Sequence, residues 1–174
     1  MEELSGNEMD YVFYIILRGP AGVGKSTISG KLAQFYNGHH IDVDKIKKKL
    51  RLSHSKEDKF EVNKTVIQKA RYYLNQRTVV IIDEVFYFKL QLLQIEQLPY
   101  KSYLFSLNAP LETCLKRNLK RRQEGLATTT DETIKLVHSL VFKLKKGIEI
   151  NTHDVSIKEA LNEILSYLPK ISYD

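Results

Sequence analysis

The chain has 174 residues, a formal net charge of +6 and a single cysteine, Cys114. That length suits one domain with a real core, and one cysteine excludes an internal disulfide framework and fits the reducing cytoplasm. Residues 1–10 are polar and acidic and read as a loose leader, without the layout of a signal peptide, and the apolar run over 11–17 is too short to cross a bilayer. No membrane partner is therefore expected.

Residues 11–17 are apolar, β-branched and aromatic, which predicts a buried strand. The strand runs into Gly19-Pro20-Ala21-Gly22-Val23-Gly24-Lys25-Ser26, which satisfies the phosphate-binding pattern G-x-x-x-x-G-K-[ST] at every fixed position. A chain of this length matches it by chance in about 1% of cases, so the signal is specific. Residues 27–36 carry Ile28, Leu32 and Phe35 at helical spacing, and the loop thus lies between a strand and a helix. Glycines let backbone N–H groups close around a polyphosphate while the helix points its positive end at it. Gly19, Ala21, Gly22, Val23, Gly24, Lys25, Ser26 and Thr27 are expected to hold ATP. Lys25 would reach the β- and γ-phosphates, and the Ser26 hydroxyl would ligate Mg²⁺.

Further along, 40–43 reads as a short strand, 45–52 and 56–75 as helices, and 78–82 as a strongly β-branched buried strand. A helix over 87–98 closes at Pro99, and 102–107 is another strand. Pro110 opens a basic helix, and Thr129 with Glu132 fits a capping box for a helix that ends at Gly147. A strand over 148–150 and an amphipathic helix over 155–168 complete the chain. Alternating strands and helices with near-continuous apolar strands imply an α/β fold of three layers around a five-stranded parallel sheet with a helical lid. Ligands to such sheets gather at the carboxyl ends of the strands.

The candidate chemistry falls there. Asp42 and Asp44 close the second strand; one carboxylate could accept or orient a hydroxyl proton and the other join the Mg²⁺ shell. Alternatively Asp44 caps the next helix. Asp83 ends the third apolar strand and is expected in the metal shell with Ser26 and Asp42. Glu84 reads either as an activator of water, as in hydrolytic ATPases, or as an acceptor contact or helix cap. Arg117 and Arg121, at i and i+4, share a helix face with Arg122 nearby, fit to stabilise a phosphoryl group in flight from a mobile flap over 123–129. The basic runs 45–51 and 116–122 read either as solvated helix faces or as attraction for an anionic acceptor such as a nucleic acid, although no nucleic-acid-binding module is recognisable. The histidines lack metal-ligand spacing, Cys114 reads as packed, and Tyr72, Tyr73, Tyr87 and Tyr100 as core.

Together these residues resemble the P-loop kinases that include shikimate, gluconate and polynucleotide kinases and L-seryl-tRNA(Sec) kinase, from about residue 11 to 168. Ile41-Asp42-Val43-Asp44 is similar to the D-x-D segment of shikimate kinases, a likeness that implies Asp44 as base or orienter. The stretch Ala109-Pro110-Leu111-Glu112-Thr113-Cys114-Leu115-Lys116-Arg117-Asn118-Leu119-Lys120-Arg121 looks like the lid segment of seryl-tRNA(Sec) kinases and implies Arg117 and Arg121 as lid arginines. Asp83-Glu84-Val85-Phe86-Tyr87 is similar to the acidic-then-aromatic run of those enzymes, whereas the glycine run of shikimate kinases is absent. The likeness is to their kinase domain alone and does not extend to their C-terminal tRNA-binding domain. By analogy with the group, Asn151, with Thr152 and His153, borders the adenine. The expectation is a single P-loop kinase domain over 11–174 that uses ATP and Mg²⁺. Its acceptor is a hydroxyl of RNA or aminoacyl-tRNA, a nucleotide or a small metabolite. The rival is a P-loop ATPase acting as a switch or assembly factor. Oligomeric state is not legible.

Overall fold

The computed structural model describes residues 12–51 and 56–170. The leader 1–10, Tyr11 and Leu52 lie outside the described residues. In chain order the elements are β1 (Phe13–Arg18), α1 (Lys25–Phe35), β2 (His39–Asp42), α2 (Val43–Leu50), α3 (Lys56–Asn75), β3 (Val80–Glu84), α4 (Lys89–Ile95), β4 (Lys101–Asn108), α5 (Leu111–Gln123), α6 (Asp131–Lys143), β5 (Ile148–Asn151) and α7 (Ile157–Ser166). The sheet is five-stranded and parallel throughout, in the order β2-β3-β1-β4-β5, so the expected α/β architecture is the observed one.

Side chains alternate across a strand, and the core splits accordingly. Ile15, Leu17, Ile81, Phe105 and Leu107 pack on one face against Ile28 and Leu32 of α1, Cys114 of α5 and Ala160 and Ile164 of α7. Tyr14, Ile16, Val80 and Ile82 pack on the other against Val62, Val66, Ala70 and Leu74 of α3 and Leu92 and Ile95 of α4. Each fully buried aliphatic side chain contributes about 1.5–3 kcal/mol, which makes the two apolar layers the main support of the sheet. The pleat also separates two neighbouring carboxylates. Asp83 continues the Ile81 face toward α1, and Glu84 continues the Ile82 face toward α2 and α3.

Several boundaries differ from the sequence reading. Asp44 does not continue a strand: β2 stops at Asp42, whose carboxylate accepts the Lys45 N–H at 3.1 Å and caps α2. The cap is therefore Asp42, and Asp44 stands in the first helical turn. Helix α6 is capped by Thr130, not Thr129; the Thr130 hydroxyl accepts from Thr133 N–H, and the helix stops at Lys143 rather than at Gly147. Helix α4 is shorter than predicted, starting at Lys89 after an extended Phe88 and ending at Ile95. Among the described residues no helix is long and apolar enough to cross a membrane.

Candidate active site

The loop between β1 and α1 is shaped by its glycines. Gly24, the residue before α1, has φ +102 and Gly22 has φ +81, a region that strains side-chain-bearing residues. A Cβ on Gly22 would stand 2.6 Å from the carbonyl oxygen of Cys114, so the loop lies directly on the backbone of α5. Lys25 Nζ donates to the carbonyls of Gly19 and Pro20 at 2.9 Å each. Burial pushes its pKa below the ordinary lysine value, and the charges of Asp83, Asp44, Glu84 and the Cys114 thiol partly oppose that shift. Three acidic side chains from two segments thus act on one ammonium.

Asp83 is buried, and its carboxyl is held below the usual range. Desolvation pulls it upward, but the nearby His40, Lys25 and Ser26 outweigh burial. His40 Nε2 lies 3.3 Å from Asp83 Oδ2, yet the pair is off the hydrogen-bond line, which leaves both atoms buried without a hydrogen-bond partner. A buried carboxylate oxygen lacking a donor, beside a serine hydroxyl, fits the oxygen chemistry of a Mg²⁺ shell. Among the described residues no three His, Cys, Asp or Glu side chains form a group that could hold a metal ion by themselves.

On the opposite face, Lys47 of α2 turns inward from the basic run. Its side chain is 14% exposed and pairs with Glu84, itself 6% exposed, while Asp44 Oδ1 lies 3.4 Å from the same ammonium. Burial would lower the Lys47 pKa, but the two carboxylates together raise it. The second Glu84 oxygen accepts from the Val85 N–H at 2.9 Å. Asp44 remains 72% exposed, and Asp42 is engaged by Lys45 through both its cap and a 3.3 Å ion pair. Beyond Glu84, the Lys59 ammonium bonds the Tyr87 hydroxyl and sits 4.3 Å from the Tyr87 ring centre and 4.7 Å from that of Phe88.

The arginines separate. Arg117 Nη2 donates to the Thr152 carbonyl at 2.6 Å and to that of His153 at 3.5 Å, which ties α5 to the loop after β5. Thr152 is buried, and its one hydroxyl proton is shared between two carbonyls in reach, that of Val23 of the phosphate loop at 2.9 Å and that of Asn108 at 3.0 Å. Asn151 borders this junction, its side-chain oxygen accepting from the His153 N–H. Among the described residues Arg121 reaches the Leu126 carbonyl at 3.4 Å, and Arg122 pairs with Asp131 at 2.7 Å, so both brace the α5–α6 connection. Arg117 and Arg121 therefore leave the helix for different neighbours. Cys114 is fully buried with its thiol pKa raised by desolvation, and His39 stacks on Tyr73 with ring centres 3.6 Å apart.

Sequence reasoning missed the roles of Lys47, His40 and Arg18. Only Lys47 carried a signal, its i,i+3 spacing from Asp44. Arg18 is 2% exposed and donates to the carbonyls of Phe86 at 3.1 Å, Val141 at 2.8 Å and Leu144 at 2.7 Å, and to the Ser106 hydroxyl at 2.9 Å. It links the residue before the phosphate loop to the turn after Asp83-Glu84 and to the end of α6.

The fold recurs in solved kinases. A gluconokinase from Sinorhizobium meliloti 1021 superposes with a TM-score of 0.69 at 12% identity, over 90% of this chain and 91% of that one. The APS kinase of Mycobacterium tuberculosis, solved with AMPPNP and APS, gives 0.68 at 15% identity over 88% and 95%. The shikimate kinase of Acinetobacter baumannii, solved with shikimate, gives 0.60 at 18% identity over 91% and 94%. No curated protein sequence matches the chain. The model of the family described as AAA domain matches residues 15–142, the span from β1 to the end of α6 that holds the phosphate loop, Asp83 and the arginine helix; the chain belongs to that family, with a kinase-like P-loop NTPase fold.

Proposed function

We propose that the protein is an ATP- and Mg²⁺-dependent kinase that transfers the γ-phosphate to a hydroxyl. The observation that carries this reading is a phosphate loop whose buried Lys25 feels the charges of both Asp83, at the end of β3, and Asp44, in the first turn of α2. The Asp83 side suits a metal-bound triphosphate and the Asp44 side an acceptor. Residues 19–27 cradle the phosphates, and Lys25 exchanges its loop carbonyls for phosphate oxygens. Ser26 and Asp83 would hold Mg²⁺, which would supply neutralisation of phosphate charge. Asp42, which caps α2 and pairs with the exposed Lys45, would join that shell by giving up the Lys45 ammonium.

Asp44, exposed at the head of α2, orients the acceptor hydroxyl and takes its proton as the oxygen attacks the γ-phosphorus. Arg117 with Asn151 and Thr152 borders the base, and Arg121 is the arginine that the lid would bring over the phosphates. The acceptor lies against α2, α3 and the Tyr87–Phe88 turn. The lid segment and the net charge of +6 favour an RNA or aminoacyl-tRNA hydroxyl over a nucleotide or metabolite.

The test is transfer from γ-labelled ATP with Mg²⁺ to total RNA, 5′-hydroxyl oligonucleotides, nucleosides and a metabolite pool in parallel. The expected result is label on one acceptor class, lost in Asp44→Asn while ATP affinity stays near wild type. Undiminished transfer by Asp44→Asn removes Asp44 from the mechanism. Label released only as free phosphate, and stimulated by a partner, favours the ATPase switch.

A further inference from the structure

Glu84 follows Asp83, lies on the acceptor face of the sheet and acts electrostatically on Lys25. A free carboxylate there would be placed to take a proton from a water attacking the γ-phosphorus. It is not free. One oxygen is paired with Lys47 and the other accepts from Val85, and the pair is almost wholly shielded from solvent. Asp44, by contrast, shares the same ammonium only at 3.4 Å and is largely exposed, so it stays available to an acceptor hydroxyl.

We propose that Lys47 sequesters Glu84 and thereby selects transfer to a hydroxyl over transfer to water. This inference rests on the kinase reading above. When Lys47 is removed, Glu84 becomes a general base for hydrolysis. The water oxygen forms its bond to the γ-phosphorus while the bond to the β–γ bridging oxygen breaks. ADP leaves with that electron pair, and the water proton passes to the Glu84 carboxylate and on to solvent, leaving ADP and inorganic phosphate. Lys47 stays protonated through the neutral range because the two carboxylates raise its pKa, so the block operates wherever the enzyme works.

The test measures phosphate release from γ-labelled ATP with Mg²⁺ and no acceptor, using the full chain and checking each variant's fold by its ADP affinity. Lys47→Met and, as a guard against misfolding, Lys47→Gln are expected to raise hydrolysis at least about tenfold, below the usual worth of a positioned base. Lys47→Arg restores a cation and brings the rate back toward wild type. Adding Glu84→Gln to Lys47→Met abolishes the gain. No rise in the folded variants, a rise that survives Glu84→Gln, or fast Glu84-dependent hydrolysis in the wild type overturns the proposal. Transfer by the wild type to the acceptor panel is scored in the same preparation. Transfer without any gain in the Lys47 variants sinks the sequestration alone, whereas no transfer to any acceptor sinks the kinase reading.

Discussion

Replacing Arg18 with methionine keeps an unbranched stem in the same space but removes every donor. Four short contacts then lose their donor, those to the carbonyls of Phe86, Val141 and Leu144 and to the hydroxyl of Ser106, along with a long one of 3.4 Å to the Lys146 carbonyl. Hydrogen bonds to a charged group are worth about 1.5–3 kcal/mol each, so the four together hold about 6–12 kcal/mol before costs. Burying a guanidinium with no carboxylate in ion-pair contact among the described residues costs several kcal/mol, and that penalty disappears in the variant. The Ser106 hydroxyl also keeps its bond to the Lys146 carbonyl at 2.6 Å. The net loss is expected at about 3–5 kcal/mol, a large share of an ordinary domain's stability. Urea denaturation followed by circular dichroism reads it directly; with a slope of about 2 kcal/mol/M the midpoint falls by about 2 M at unchanged slope. Arg18→Lys recovers little, because one compact ammonium cannot span acceptors on three segments. A midpoint within about 0.5 M of wild type for Arg18→Met would refute the reasoning and reduce Arg18 to a spectator.

Gly22→Ala is expected to cost about 1–2 kcal/mol in backbone strain plus a clash with the Cys114 carbonyl, and to weaken nucleotide binding more than it lowers Tm; isothermal titration with ADP checks it. Cys114, buried and with its thiol pushed upward, should react with a disulfide reagent only under denaturing conditions, and stoichiometric labelling of the native protein at neutral pH would contradict its packed position. The folded pKa of Lys47 is raised, so its contribution to stability is fully present below the unfolded value of about 10.4 and is lost as pH rises through the higher folded value. The stability difference between wild type and Lys47→Met should therefore be flat across the neutral range and shrink only above about pH 10.4.

The phosphate loop and Asp83 were legible because each needs a fixed pattern of residues against an apolar strand. The β2–α2 junction was not: Val43 is β-branched and reads as strand, and only the cap geometry of Asp42 turns it into the first residue of a helix. The run Thr128-Thr129-Thr130 hides its cap for a similar reason, since adjacent threonines offer the same hydroxyl. Within Lys45-Ile46-Lys47-Lys48-Lys49, composition gives no rule for choosing the lysine that turns inward; a carboxylate from β3, far along the chain, decides it. Arg18 was invisible altogether. Its acceptors are mostly backbone carbonyls separated from it by 68 to 126 residues, and carbonyls leave no trace in a side-chain pattern.

The alternation that divides Asp83 from Glu84 makes β3 intolerant of changes in length. Deleting a single residue within Val80–Glu84 would exchange the surroundings of the two acids, facing one toward the apolar wall of α3 and leaving Lys47 and the phosphate loop each opposite the wrong neighbour. Apolar swaps in the strand preserve that parity, and the stretch between α5 and α6 can gain or lose residues without touching it. In a deep insertion and deletion scan, β3 should stand out as a strand free to vary in composition but fixed in count.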